Sequence, residues 1–295
     1  MSRSPGRRYW LNLTAFVLGL LALIAAGAVV WFTLARTGAY LHPPRQSARG
    51  ELLRQNGIRY QQITLTTEDG LRLRAWYTPP HNGAVILLAH GHGSTIFEDY
   101  YLLFASHGYG VLAWDFRAHG DSGGQFTTFG YKEALDVKAA LDFAEAQPSV
   151  GHIGAWGGSM GAAAVIHAAA AYPEIEAVVA DSAYPTLREI AEMRSAPLLR
   201  PLVYLYGRMK TGVSVGWLRP VEDIARISPR PVLLIQGLDD SAIPPDSARR
   251  LYEAAGEPRS LWVEPGVVHM GMYRSFPGQY TSRVIGFFDR ALLSP

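Results

Sequence analysis

Gly157-Gly158-Ser159-Met160-Gly161 sets a hydroxyl among glycines in the order G-x-S-x-G. An apolar run, residues 152–156, precedes it and an alanine-rich stretch, residues 162–171, follows. Strand, sharp turn and helix in that succession present a serine at the top of a sheet. The turn forces strained backbone angles, and side chains two positions either side would collide unless they were glycine. Ser159 is therefore the candidate nucleophile. Alone, such a pentapeptide is equally an ordinary Gly-rich turn, so the reading depends on partners elsewhere in the chain.

Two partners have the right types. Gly237-Leu238-Asp239-Asp240 follows the apolar run 232–235. A carboxylate at a strand end is placed to orient an imidazole, and Asp240 is the candidate, with Asp239 and Asp181 as competitors. His269 lies in a loop after the run 261–263, giving the order Ser, Asp, His along the chain. That order and those types can run acyl transfer: the serine attacks, the histidine takes its proton and the aspartate holds the imidazole. Donors for the developing oxyanion are expected from two main-chain N–H groups, that of Met160 after the nucleophile and that of His92 in His90-Gly91-His92-Gly93-Ser94, with Gly93 as the alternative to His92. His90 and His92 could also be read as paired metal ligands, but no carboxylate or third histidine at metal-site spacing accompanies them. No metal or cofactor is expected.

These residues need a scaffold, and the chain alternates apolar runs with helix-like stretches. Runs at 84–89, 110–114, 153–156, 177–180 and 232–235 are continuous, as in strands covered on both faces, and helix-like stretches occupy 97–106, 132–147 and 162–171. Asp69-Gly70 between two alternating runs predicts a hairpin. The expected architecture is α/β, a mostly parallel open sheet with helices on both faces, whose ligands gather outside the carboxyl ends of the strands. Residues 185–222 break the alternation and read as a helical cap, with Tyr204, Tyr206, Met209 and Trp217 as its apolar underside.

Ahead of this domain, residues 11–34 carry no charge, about 36 Å of helix against about 30 Å of hydrocarbon. Tyr9, Trp10, Trp31 and Tyr40 suit an aromatic belt. A cleaved signal peptide is the alternative, but the stretch is longer than the usual apolar region of one. The expected organisation is a membrane anchor at 1–35, a linker at 36–57 and a catalytic domain at 58–295. Arg45, Arg49 and Arg54 in the linker are placed to meet anionic headgroups. Basic residues flank the span on both sides; a basic start followed by an apolar span favours a domain outside the cytoplasm. Residues 1–54 sum to +6 and the rest to −4, so the domain has no basic stripe for nucleic acid. Cysteine is absent, which removes disulfides and thiolate catalysis.

Residues 60–293 resemble the α/β-hydrolase superfamily, in particular its membrane-anchored, serine-aminopeptidase-like and protein-depalmitoylase-like branch. The resemblance is carried by residues 68–71, 90–93, 115–122, 157–161, 237–240 with Pro244, and 266–269. It implies an α/β-hydrolase fold, the triad Ser159, Asp240 and His269, and the hole at His92 and Met160. It also implies that Arg117, His119 and Asp121 form a structural loop. The expected activity is hydrolysis of a carboxylic ester or thioester, on small-molecule, acyl or lipid-like substrates near a membrane. The alternatives are an aminopeptidase-type serine peptidase, whose amine pocket Glu189 and Glu192 could supply, and a membrane-tethered binding protein that keeps the fold without the chemistry.

Overall fold

The computed structural model describes residues 6–294. Eight strands form one sheet in the order β1-β2-β4-β3-β5-β6-β7-β8. A 35-residue helix, α1 (Arg7–Leu41), and a short α2 (Glu51–Gln55) precede it. Strands β1 (Gln61–Thr66) and β2 (Arg72–Thr78) pair antiparallel around the expected hairpin, and β2 is antiparallel to β4 (Gly110–Trp114). Every other pairing is parallel, through β3 (Ala84–Ala89), β5 (His152–Gly158), β6 (Ala177–Asp181), β7 (Val232–Gly237) and β8 (Arg259–Glu264).

The continuous apolar runs follow from this arrangement, because the central strands are covered on both sides. In β3 the side chains alternate: Val85, Leu87 and Ala89 join one core, Ala84, Ile86 and Leu88 the other. The first core is closed by α4 (Glu133–Glu145), α5 (Met160–Ala169) and α9 (Ser247–Ala254). The second is closed by α3 (Glu98–Ser106) and α11 (Pro277–Phe288), with the short α10 (Met272–Ser275) at its rim.

Between β6 and β7 the chain leaves the sheet for α6 (Leu187–Met193), α7 (Arg200–Thr211) and α8 (Pro220–Asp223). Pro201 and Pro220 fall in the first turns of their helices, where a missing N–H costs nothing. Leu199, just ahead of α7, and Val203 and Gly207 within it, four residues apart, make its inward stripe. Met209 and Trp217, expected underneath, are 75% and 50% exposed: Met209 falls off that stripe, and Trp217 lies in the turn after α7. Tyr204 turns its hydroxyl to Glu192.

The helix α1 is long and apolar enough to cross a membrane. Its Leu11, Phe16, Leu18, Leu23 and Trp31 side chains are exposed, whereas the comparably apolar α5 is buried almost throughout. Residues 36–41, assigned to a linker from the sequence, continue the helix, and the stretch after it is strapped to the domain. Leu41 O accepts from Thr127 N at 3.0 Å. Arg45 donates to the carbonyls of Gly120 (3.2 Å), Ser122 (2.5 Å) and Gly124 (2.8 Å), so it grips the domain instead of facing headgroups. Arg54 donates to Arg49 O, and the Glu98 carboxylate accepts from the N–H groups of Arg49, Gly50 and Leu52 at the start of α2.

Candidate active site

Ser159 stands between β5 and α5 with φ 54° and ψ −116°, a left-handed conformation forced by the turn. The glycines around it are required sterically. A Cβ on Gly157 would lie 2.5 Å from Gly161 O, and one on Gly161 would lie 2.3 Å from Ala89 O. The β5–α5 turn therefore sits directly against the end of β3.

His269 Nε2 lies 2.8 Å from Ser159 Oγ, and its Nδ1 lies 2.6 Å from Asp240 Oδ2. The carboxylate can only accept, so Nδ1 carries the proton and Nε2 is free to accept from the serine hydroxyl. The other oxygen of Asp240 accepts from Ala242 N (2.8 Å) and Ile243 N (3.3 Å), which fixes the carboxylate in the turn after β7. The competing aspartates are occupied elsewhere. Asp239 accepts from Gly266 N, and Asp181 from Tyr280 Oη and Ser182 Oγ.

The loop after β3 is set by two buried histidines. His90 Nδ1 lies 2.7 Å from Gly91 O, and its Nε2 accepts from Phe116 N at 3.0 Å. His119 repeats the pattern, with Nδ1 on Arg117 O and Nε2 accepting from Gly93 N. Both rings are therefore neutral with the proton on Nδ1. Burial holds His90 down to about 3 and pushes His119 down as well. The consequence for the site is directional. The Gly91 carbonyl is turned towards His90, so across the planar peptide the His92 N–H points the opposite way. A Cβ on Gly91 would lie 3.3 Å from Ser159 Cβ, which puts this peptide beside the nucleophile. Met160 N–H, at the first position of α5, has no intrahelical partner. Gly93, the alternative donor, spends its N–H on His119.

Several contacts at the site join residues too distant in sequence to be paired by pattern. The His92 ring stacks on Phe129 (4.7 Å, 8°) and donates from Nε2 to Tyr40 O at 2.8 Å; burial holds it down to about 4. Tyr40 thus belongs to the site's rim, with the Arg194 guanidinium 5.6 Å from its ring, and not to a free aromatic belt. Phe129 has φ 56°, and its loop is held by Glu133, which accepts from Thr127 Oγ1, Thr128 N, Thr128 Oγ1 and Gly130 N. Beneath His269, Ser182 Oγ accepts from Met270 N and donates to Asp181. Burial pushes the Asp181 carboxyl up to about 6 against the pull of its Tyr280 and Ser182 hydrogen bonds.

Arg117 is sandwiched between Asp69 and Asp136, and Asp121 bonds Ser47 and pairs with Arg74. Glu189 is doubly bonded to Arg250, and Glu192 accepts from Tyr204. Glu189 is thus taken up by Arg250, whereas Glu192 keeps acceptor capacity on its other oxygen, 4.0 Å from Arg200 Nη1.

The sheet order, the strained serine after β5 and the cap between β6 and β7 define an α/β hydrolase of the serine-hydrolase class. The chain belongs to the X-Pro dipeptidyl-peptidase (S15) family, whose profile matches residues 35–205, more than half of its length. The match takes in Ser159 and ends before Asp240 and His269. Among solved structures it is similar to the Pyrococcus furiosus esterase Pf2001, with a TM-score of 0.71 and 28% identity, covering 85% of this chain and 98% of that one. Among curated proteins it is 29% identical to Bacillus subtilis YqkD over 75% of this chain and 76% of that protein. It is also 25% identical to the Saccharomyces cerevisiae membrane protein YNL320W, over 67% of this chain and 68% of that one.

Proposed function

We propose that the protein is a membrane-anchored serine esterase that cleaves carboxylic ester or thioester bonds through an acyl-enzyme. The observation that carries this reading is the hydrogen-bonded line from Ser159 through His269 to Asp240. Ser159 Oγ attacks the carbonyl carbon while His269 Nε2 takes its proton, and Asp240 fixes the tautomer and stabilises the imidazolium. The oxyanion is met by the N–H groups of His92 and Met160, which need no reorganisation as charge develops. The imidazolium returns its proton to the leaving alcohol or thiol. His269 then takes a proton from water as the water oxygen attacks the acyl carbon, and gives it to Ser159 Oγ as the acyl–Oγ bond breaks, which releases the acid and restores the hydroxyl.

The apolar helix α1 serves as an uncleaved anchor, with the catalytic domain outside the cytoplasm. A C-terminal reporter that is active only in the cytoplasm would reverse this orientation. The relative named as a membrane protein supports the anchor, and the similarity to an esterase supports the chemistry.

Peptide hydrolysis is the second reading, favoured by the family match. A dipeptidyl-peptidase must bind a substrate ammonium, which needs an available carboxylate. Glu189 is held by Arg250, Glu192 has one short partner in Tyr204, and arginines 36 and 194 line the neighbouring cavity, where they disfavour an ammonium. The test is to compare turnover of p-nitrophenyl butyrate with that of an Xaa-Pro p-nitroanilide on the full-length protein. The esterase reading expects the ester to be cleaved and the anilide left; faster anilide cleavage would replace it with the peptidase.

A further inference from the structure

A cavity of about 310 Å³ lies between α1 and the cap, within the size range of small-molecule sites. Val29, Phe32 and Thr33 of α1 form one wall, and Leu199, Val203 and Gly207 face them. At its inner end the cavity is bounded by Phe129, whose ring stacks on His92, and by Arg194, which donates to Ala242 O at 3.3 Å, two residues after Asp240. Its outer end lies at Val29 and Phe32, inside the uncharged stretch 11–34. From Val29 to Tyr40 the helix advances about 16 Å, room for an extended acyl chain of roughly twelve carbons.

From this placement we infer that the cavity is the acyl-chain site of the enzyme, and that the anchor helix is one of its walls. The occupant is the unbranched acyl chain of the ester or thioester substrate. It enters at bilayer depth between α1 and α7 and leaves its carbonyl at Ser159. The inference rests on the esterase reading above and names the substrate class. Three features on the structure support it. The lining is mostly apolar, with Arg36 and Arg194 as its charged members. One end reaches the portion of α1 that would lie in hydrocarbon and the other abuts the candidate nucleophile's surroundings. The angle of α1 to the domain is fixed by Arg45 on three carbonyls and by the close approach of Gly38 to Tyr206, whose Oη would lie 3.1 Å from an added Cβ. A loose tether could not keep such a wall.

Gly207 supplies the test. It lines the cavity, and a Cβ added there meets nothing within 4 Å, so a larger side chain fills the space without displacing the fold. Full-length protein in phosphatidylcholine nanodiscs is assayed with p-nitrophenyl acetate, butyrate, octanoate and laurate. In the unmodified protein kcat/KM rises with chain length, at most roughly fourfold per methylene buried. Gly207→Leu keeps acetate and butyrate turnover within about twofold and lowers laurate turnover by tenfold or more, on the same burial scale. Should Gly207→Leu fail to fold, Thr33→Phe blocks the cavity from the anchor side, outside the sheet, and gives the same truncation. Butyrate turnover that depends on Ser159, with a chain-length profile unchanged in the folded variants, overturns the acyl site and leaves the esterase standing. Butyrate turnover that survives Ser159→Ala removes the esterase reading itself, and this inference with it.

Discussion

At the carboxyl ends of β3, β5, β7 and β8, groups are held by the main chain. Ser159 is fixed by glycines that leave no room for a Cβ, Asp240 by two N–H donors, and the His92 peptide by the carbonyl that His90 captures. Between α1 and the cap, by contrast, the surfaces meet through side chains around empty space, and Leu198 and Met209 nearby are 90% and 75% exposed. The first region tolerates little change because backbone cannot repack. The second can alter what it admits by exchanging single side chains. On the function proposed above, chemistry and selection of substrate fall to parts of the molecule with different mechanical rules.

Substitutions can sharpen that contrast. The largest effect is expected from Asp240→Asn, which keeps the shape but removes the preference for the Nδ1–H tautomer; kcat should fall by about 10⁴-fold with stability nearly unchanged. Gly161→Val pushes a Cβ to 2.3 Å from Ala89 O, and urea unfolding should show a loss of about 4 kcal/mol or more, if the chain folds at all. A smaller effect concerns pH. The folded state keeps His90 unprotonated down to about 3, whereas the unfolded chain protonates it near 6.5. Its stabilising contribution is complete above pH 6.5 and drains as pH falls towards 3. Between pH 7 and 5 the parent protein should therefore lose about 2 kcal/mol more than His90→Gln, measured by urea unfolding at the two values. A parent no steeper than the variant would show that the ring is already charged in the fold. Smallest is Arg45→Ala, which frees the strap from three carbonyls: butyrate turnover should hold, while limited proteolysis at residues 42–50 should quicken and the laurate advantage shrink several-fold, roughly the worth of one or two charged hydrogen bonds.

Much of the first region was legible in the residues themselves. Continuous apolar runs fixed β3 and β4 to the residue, and the glycines at 157 and 161 marked the turn because a steric requirement leaves a compositional trace. Asp240 could be preferred at a strand end over Asp239 and Asp181, while the physical ground for separating the three lies in their hydrogen bonds. The second region left no such trace. Tyr40 reaches His92 across 52 residues through a carbonyl, a group every residue carries. Met209 looks like a core residue by type, and only the phase of α7 against α1 turns it outward. Residues 36–41 read as linker because Gly38 punctuates them, yet that glycine lets α1 pass close to Tyr206 and stay helical.

The central claim is that the hydroxyl of residue 159 is the group that bonds to the substrate's acyl carbon. Full-length protein treated with a fluorophosphonate and digested for mass spectrometry should carry one stoichiometric adduct on the peptide containing Ser159, and none after Ser159→Ala. An adduct on another residue, or equal labelling of the variant, would contradict it.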